Sequence, residues 1–183
     1  MHSVFVAGSR ALSKLNTQIK ERLDNIVKQN LKVLVGDANG ADKAVQRYFA
    51  ERSYQHVVIY CMDVCRNNVG NWHTHSEKTG PGLTHDRHYY GIKDLAMAKD
   101  ASYGLMIWDG ESKGTLTNVV NLLEARKKVV LYHSPKKHFF TLRNAGDLHK
   151  VLSASGFKNV DGFLASLRAR GAESDQPELA FRT

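Results

Sequence analysis

Apolar residues in this 183-residue chain come as short dense runs, separated by stretches where they recur every three or four positions. The runs at 4–7, 33–35, 57–60, 105–108 and 129–132 are rich in Val, Ile and aromatic residues. Continuous runs of this kind predict strands covered on both faces. Between the first two runs, Leu12, Leu15, Ile19, Leu23 and Ile26 fall on a single helical stripe. Further helices are predicted over 41–52, with Val45, Tyr48 and Phe49 inward, and over 89–99, with Ile92, Leu95 and Ala96. A fourth follows Gly114 and carries Leu116, Val119, Val120 and Leu123. Strict strand–helix alternation requires crossovers and therefore parallel neighbours. The expected fold is α/β: a Rossmann-like doubly wound sheet of about five parallel strands with helices on both faces.

Two segments break this rhythm. Residues 63–88 read as one long polar loop containing Gly70, Gly80, Pro81 and Gly82; a loop of that length in a small domain is commonly functional. After Pro135, helical patterns near 144–154 and 161–169 suggest a small helical extension. The organisation expected is therefore a Rossmann-like domain over 1–135, a helical extension over 136–171 packed on it, and a frayed tail over 172–183.

The turn residues fall in an informative place. The first strand runs into Gly8-Ser9-Arg10, the second into Gly36-Asp37-Ala38-Asn39-Gly40-Ala41-Asp42, and the fourth, after Trp108, into Asp109-Gly110-Glu111-Ser112-Lys113-Gly114-Thr115. All three lie where a strand's carboxyl end meets a helix's amino end, the edge at which doubly wound sheets bind ligands. Helix amino ends offer free N–H groups and partial positive charge, and glycine permits close backbone approach. Arg10 and Lys113 add cations, and Ser112 and Thr115 add hydroxyls. The Gly-x-x-x-x-Gly-Lys-Ser/Thr order of a P-loop is absent.

Composition adjusts the picture. With 42% apolar residues the chain can build a core, and no apolar run reaches bilayer length. The net charge of +8 invites a polyanion, but it is dispersed: residues 1–133 carry +5 and 134–183 carry +3, without a long basic block. The cations placed beside candidate loops are few, which favours one small phosphate-bearing ligand over nucleic acid. Cys61 and Cys65 are too few for a disulfide scaffold and are expected as reduced thiols in a cytoplasmic protein. The beginning of the chain lacks the basic flank and long apolar segment of a signal peptide.

The three loops also resemble a family. Gly8-Ser9-Arg10, Gly36 to Asp42, and Asp100-Ala101 through Trp108-Asp109-Gly110 to Lys113-Gly114-Thr115 resemble the SLOG superfamily. Its Rossmann-like members include LOG phosphoribohydrolases, the DNA-processing protein A family and nucleotide-sensing domains of bacterial conflict systems. Lys93-Asp94-x-x-Met97 and the tract from Tyr132 to Phe140 are similar to a bacterial SLOG-like group. The resemblance spans about residues 3–133. It implies a bound nucleotide or nucleotide-derived molecule, no other cofactor, and by analogy a homodimer.

The residues expected at the ligand are Gly8, Ser9, Arg10, Gly36, Asp37, Gly40, Ala41, Asp42, Arg87, Trp108, Asp109, Gly110, Ser112, Lys113, Gly114, Thr115 and Asn118. Asp37 or Asp109 would hold ribose hydroxyls. Two alternatives stay open: N-glycoside cleavage of a nucleoside monophosphate, and binding of single-stranded nucleic acid. Cleavage needs a carboxylate, yet Asn118 stands where LOG enzymes carry Glu. Asp37, Asp42, Asp109 and Glu111 are the acids that could replace it. The polar loop holds His73, His75, His85 and His88, readable as a solvated lid, as a phosphate contact together with Arg87, or as metal ligands. Trp72, Tyr89 and Tyr90 are either packing residues or a stacking surface for a base.

Overall fold

The computed structural model describes residues 1–78 and 87–174, with side chains for all of these except 87–88 and 168–174. In chain order the elements are β1 (Ser3–Gly8), α1 (Thr17–Lys28), β2 (Lys32–Gly36), α2 (Ala41–Ala50), β3 (Val57–Met62) and β4 (His73–Glu77). They continue as α3 (Arg87–Asp100), β5 (Tyr103–Trp108), α4 (Lys113–Glu124), β6 (Lys128–His133), β7 (His138–Leu142), α5 (Ala145–Ser155) and α6 (Val160–Ser174).

The strands form one seven-stranded sheet in the order β4-β3-β2-β1-β5-β6-β7, parallel throughout except for β7. β1 lies at the centre, with Val6 opposite Val35 of β2 on one side and Leu105 of β5 on the other. The chain winds from β1 towards β4 and then returns past β1 to build β5 and β6. The β1–β5 gap is therefore the switch point of a doubly wound sheet. Alternate side chains feed two cores. Val4, Val6, Val33, Val35, Leu105 and Ile107 pack with Ile19, Leu23 and Ile26 of α1 and Val45 and Phe49 of α2. Phe5, Ala7, Met106 and Trp108 face the other way, against Met97 of α3, Leu116, Val119 and Leu122 of α4, and Leu148, Leu152 and Phe163 of α5 and α6.

Two strands are not visible in the hydrophobic pattern. β4 lies within the segment read as a polar loop; its side chains are mostly exposed because it is an edge strand, so it lacks the apolar signature. β7 opens the segment read as purely helical, and pairs antiparallel to β6 across the turn after His133. Helix α1 also starts later than its apolar stripe suggests. Asn16 caps it by accepting from the Ile19 amide at 3.0 Å, so Leu12 and Leu15 pack against the core from the preceding loop. The two cysteines, expected as thiols, form a Cys61–Cys65 disulfide with a Cα–Cα distance of 5.0 Å. Asp63, in a left-handed conformation at φ 44°, turns the chain between them. Among the described residues no helix is long and apolar enough to cross a membrane.

Candidate functional site

The β1 and β5 loops meet at the switch point. Ser9 donates its amide to the Ile107 carbonyl at 3.0 Å, and its hydroxyl to an Asp109 carboxylate oxygen. The other Asp109 oxygen accepts the amides of Glu111 at 3.0 Å and Ser112 at 2.7 Å. Burial alone would raise the Asp109 pKa; the hydrogen bonds from Ser9, Ser112 and Glu111 outweigh it and hold the carboxyl below its ordinary value. Asp109 thus builds the turn and ties it to β1. Gly8 is required by this closeness: a Cβ there would lie 2.5 Å from the Ile107 carbonyl oxygen.

The turn delivers the chain to the amino end of α4. Ser112 caps it, accepting from the Thr115 amide at 3.4 Å and the Thr115 hydroxyl at 3.1 Å. The amides of Lys113 and Gly114, the first two helical positions, have no acceptor among the described residues. Both residues are exposed, and a Cβ at Gly114 would meet nothing within 4 Å. Thr115, Trp108 and Asn118 are buried and support the turn from within. Gly110 takes φ +93°, which places it beside His133 and Pro135.

The second loop is organised differently. The first amide of α2, from Ala41, is already taken by the Ser9 carbonyl at 3.1 Å, and the Ala38 amide points to Asp42 Oδ2 at 3.3 Å. Asp37, buried, accepts the Arg66 Nη2 at 2.6 Å, the Arg66 Nε at 3.0 Å and the Arg66 amide at 3.0 Å. Burial would raise its pKa; Arg66 and the charge of Lys93, 3.8 Å away, bring it below the ordinary value instead. The Ala41 amide and the Asp37 carboxylate are thus already engaged within the protein. The Asp37 oxygens, expected at a ribose hydroxyl, each carry a hydrogen bond from Arg66.

Beneath this loop lies a buried charge cluster. Lys93, 4% exposed, contacts Asp94 at 3.0 Å and approaches Asp37. Burial would lower the Lys93 pKa, but the facing carboxylates of Asp94, Asp42 and Asp37 raise it. Asp42 is pushed up to about 7, first by burial and then by Asp94, against the opposing effect of Lys93. A Cβ at Gly36 would lie 2.5 Å from Asp42 Oδ2 and 2.8 Å from Lys93 Nζ, so glycine makes room for both groups. Gln46 closes the arrangement, donating to the Gly36 carbonyl at 2.8 Å and accepting the Val69 amide at 3.0 Å.

Arg10 and Arg66 both stand over the Tyr90 ring, at 5.6 Å and 4.4 Å from its centroid. Both guanidiniums reach the surface, so the loops after β1 and β3 present two cations around one half-buried aromatic ring of α3. Trp72 is buried and donates its indole N–H to the Tyr54 carbonyl at 2.8 Å, a packing role.

Arg66 is a residue of this edge that the sequence did not single out, whereas Tyr90 was read as a packing or stacking residue and Lys93-Asp94 only as part of the resemblance. Besides that pattern, Lys93 left a physical signal: Tyr89, Lys93 and Met97 are spaced by four on the buried face of α3. A lysine on such a stripe demands carboxylate partners. Arg66 left none, because its Asp37 partner is 29 residues away. His73 and His75 lie on the exposed edge strand β4, where His75 stacks on Tyr60 at 4.6 Å and contacts Glu77 at 3.0 Å. Among the described residues no group of three metal-ligating side chains forms. His85 lies outside the described residues; His88 and Arg87 begin α3, and their side chains are not among those described.

No protein-family model matches the chain, and no curated protein sequence matches it. Solved structures do. DNA processing protein A from Streptococcus pneumoniae aligns with a TM-score of 0.52 at 21% identity, covering 71% of this chain and 50% of that one. DNA processing protein A from Helicobacter pylori, in a structure describing its mode of single-stranded DNA binding, aligns with a TM-score of 0.56 at 12% identity, covering 92% of this chain and 81% of that one. This chain spans half the length of the first. At these identities the likeness is one of fold. The winding about β1, the three Gly-containing loops and these neighbours agree: the chain has a Rossmann-like fold similar to that of DNA processing protein A.

Proposed function

We propose that the carboxyl edge of the sheet binds a nucleotide through its phosphate, at the amino end of α4. The observation that carries this reading is the open start of that helix: the Lys113 and Gly114 amides lack acceptors among the described residues. Exposed Lys113 and Arg10 supply cations, and no side chain fills the space at Gly114. Helix amides and dipole favour an anion there. The Arg10–Tyr90–Arg66 cluster then offers a face for a base or a second phosphate.

A second reading, single-stranded DNA, draws on the ligand named for the Helicobacter pylori neighbour and on the net charge of +8. The same edge would carry it, with successive phosphates at Lys113 and at the arginines and a base on Tyr90. An N-glycoside-cleaving activity has one available acid on these loops. Asp37 and Asp109 are committed and Asp42 is buried, which leaves exposed Glu111.

The test is titration of fluorescent nucleoside monophosphates and a 5′-labelled oligothymidylate against the wild type, Lys113→Ala and Gly114→Asp. Binding of either probe that both variants weaken supports the phosphate site. Oligonucleotide affinity that falls steeply with salt, with monophosphates bound poorly, selects the DNA reading. Failure to bind either class at low salt would overturn both. Release of free base, abolished in Glu111→Gln, would establish cleavage.

A further inference from the structure

We infer that the Cys61–Cys65 disulfide is a redox control on this edge, holding Arg66 in its clamp on Asp37 so that dithiol reduction loosens the loop and weakens ligand binding. The inference rests on the phosphate-site reading for its functional consequence, and on the geometry of residues 61–69 for its mechanism.

Cys61 is buried in β3 at a fixed register, opposite Ser76 of β4. Cys65 is half-buried, so its sulfur is the one that an external thiol reaches. Between them the chain reverses at Asp63 and passes through Val64, which is 81% exposed. The cross-link draws residue 65 back against the strand, and the next residue is Arg66. That residue makes three hydrogen bonds to Asp37, through its amide and two guanidinium nitrogens. Asn67 adds a hydrogen bond to the Asp37 carbonyl at 2.7 Å and one to Asn39 at 3.2 Å. The disulfide therefore ends one residue before the contacts that join the β3–β4 connection to the loop after β2. No helix supports this connection. The cross-link and the Asp37 contacts act on Arg66 at close range, while Gln46, bonded to Asn67 and Val69, and Tyr89, bonded to Asp63, hold the connection on either side.

The chemistry is thiol–disulfide exchange with a dithiol. A dithiol thiolate attacks Cys65 Sγ, the Cys61–Cys65 bond breaks, and Cys61 leaves as a thiolate that takes up a proton. The second thiol of the reductant then attacks the mixed disulfide and releases Cys65. Two electrons and two protons pass to the protein, and the dithiol ends as its own disulfide. The freed segment regains conformational entropy, which lowers the effective concentration of Arg66 at Asp37.

The experiment compares oxidised wild type, wild type reduced with dithiothreitol, and Cys61→Ser/Cys65→Ser. Intact mass after alkylation counts the thiols. Hydrogen exchange at the Arg66 amide reads the clamp, and labelled oligothymidylate and nucleoside monophosphate read the edge. Expected are no free thiols in the oxidised form, an Arg66 amide that exchanges faster after reduction and in the double serine variant, and probe affinity roughly tenfold weaker in both. Arg66→Ala should bind weakly and be insensitive to dithiothreitol. Unchanged Arg66 exchange between the oxidised and reduced forms would overturn the redox inference, as would thiols that stay free under glutathione disulfide. Changed exchange with no probe binding in any form leaves the clamp standing and removes the phosphate reading.

Discussion

Asp37, in the loop after β2, and Asp42, five residues on in the first turn of α2, titrate in opposite directions. Arg66 stabilises the Asp37 anion, so its contribution to stability is present above its ordinary pKa of 3.8 and is lost as pH falls through the lower folded value. Asp42 is the reverse. Its folded pKa is raised to about 7, so between roughly pH 4 and 7 the native state holds a proton that the unfolded chain has released. That contribution falls as pH rises through the window and is level above it. The groups facing Asp42 are Lys93 and Asp94 from α3, Asp37 from the loop before α2 and, through its charge, Arg66. Urea unfolding of wild type and Asp42→Asn at intervals from pH 4.5 to 8 should show a stability difference that shifts in favour of the variant as pH rises, then stays constant. A difference independent of pH would refute the assignment. Asp37→Ala leaves Lys93 buried without one of its carboxylates and Arg66 without its partner. It should cost roughly 3 kcal/mol in the same measurement, the scale of a broken buried ion pair.

At the scale of elements, two glycines separate structure from binding. Gly40, before α2, holds φ +82°, and a Cβ there would sit 2.3 Å from the Arg10 carbonyl oxygen. Gly40→Ala should destabilise by about 2 kcal/mol and displace Arg10, lowering both Tm and probe affinity. Gly114 is in the first turn of α4 with open space around it. Gly114→Ala should raise stability by about 0.5 kcal/mol, since alanine loses less backbone entropy in a helix. Gly114→Asp should also keep or raise Tm, because an acid near a helix amino end is favourable, while repelling a bound phosphate. A folded Gly114→Asp protein with wild-type affinity would place the ligand elsewhere. The two helix starts differ in their first amide: that of α2 is taken by Ser9 of the neighbouring loop, whereas that of α4, from Lys113, has no acceptor among the described residues.

At the scale of the whole molecule, the charge of +8 bears on how a ligand arrives as well as on which ligand it is. If a single phosphate is held at α4, log affinity should fall only slightly with log salt; an oligonucleotide touching Lys113, Arg10 and Arg66 should show a slope of about −2, at about 0.7 per neutralised phosphate. Removing one of the three cations should then reduce that slope by a little under one. Sheet topology makes this arrangement possible. β1 lies between β2 and β5, so loops 100 residues apart in sequence meet at the Ser9–Asp109 hydrogen bond.

Much of this was legible in the chain itself. Runs of Val and Ile marked the five central parallel strands, since strands buried on both faces can only be apolar. Glycines and capping residues at their carboxyl ends marked the edge that carries Arg10, Lys113 and Gly114. The edge strands β4 and β7 escaped, because an edge position relaxes the demand for apolar side chains and leaves no periodic trace. The internal occupants of the second loop escaped too. Asp37 reads as a free acid in sequence; it is a buried ion-pair member only because β3 returns Arg66 to it from 29 residues away. Local pattern and turn chemistry determined the elements and the edge at which the Gly-containing loops gather. Long-range packing decided which amides and charges on that edge are already satisfied, because desolvation and pairing depend on neighbours the sequence places far apart.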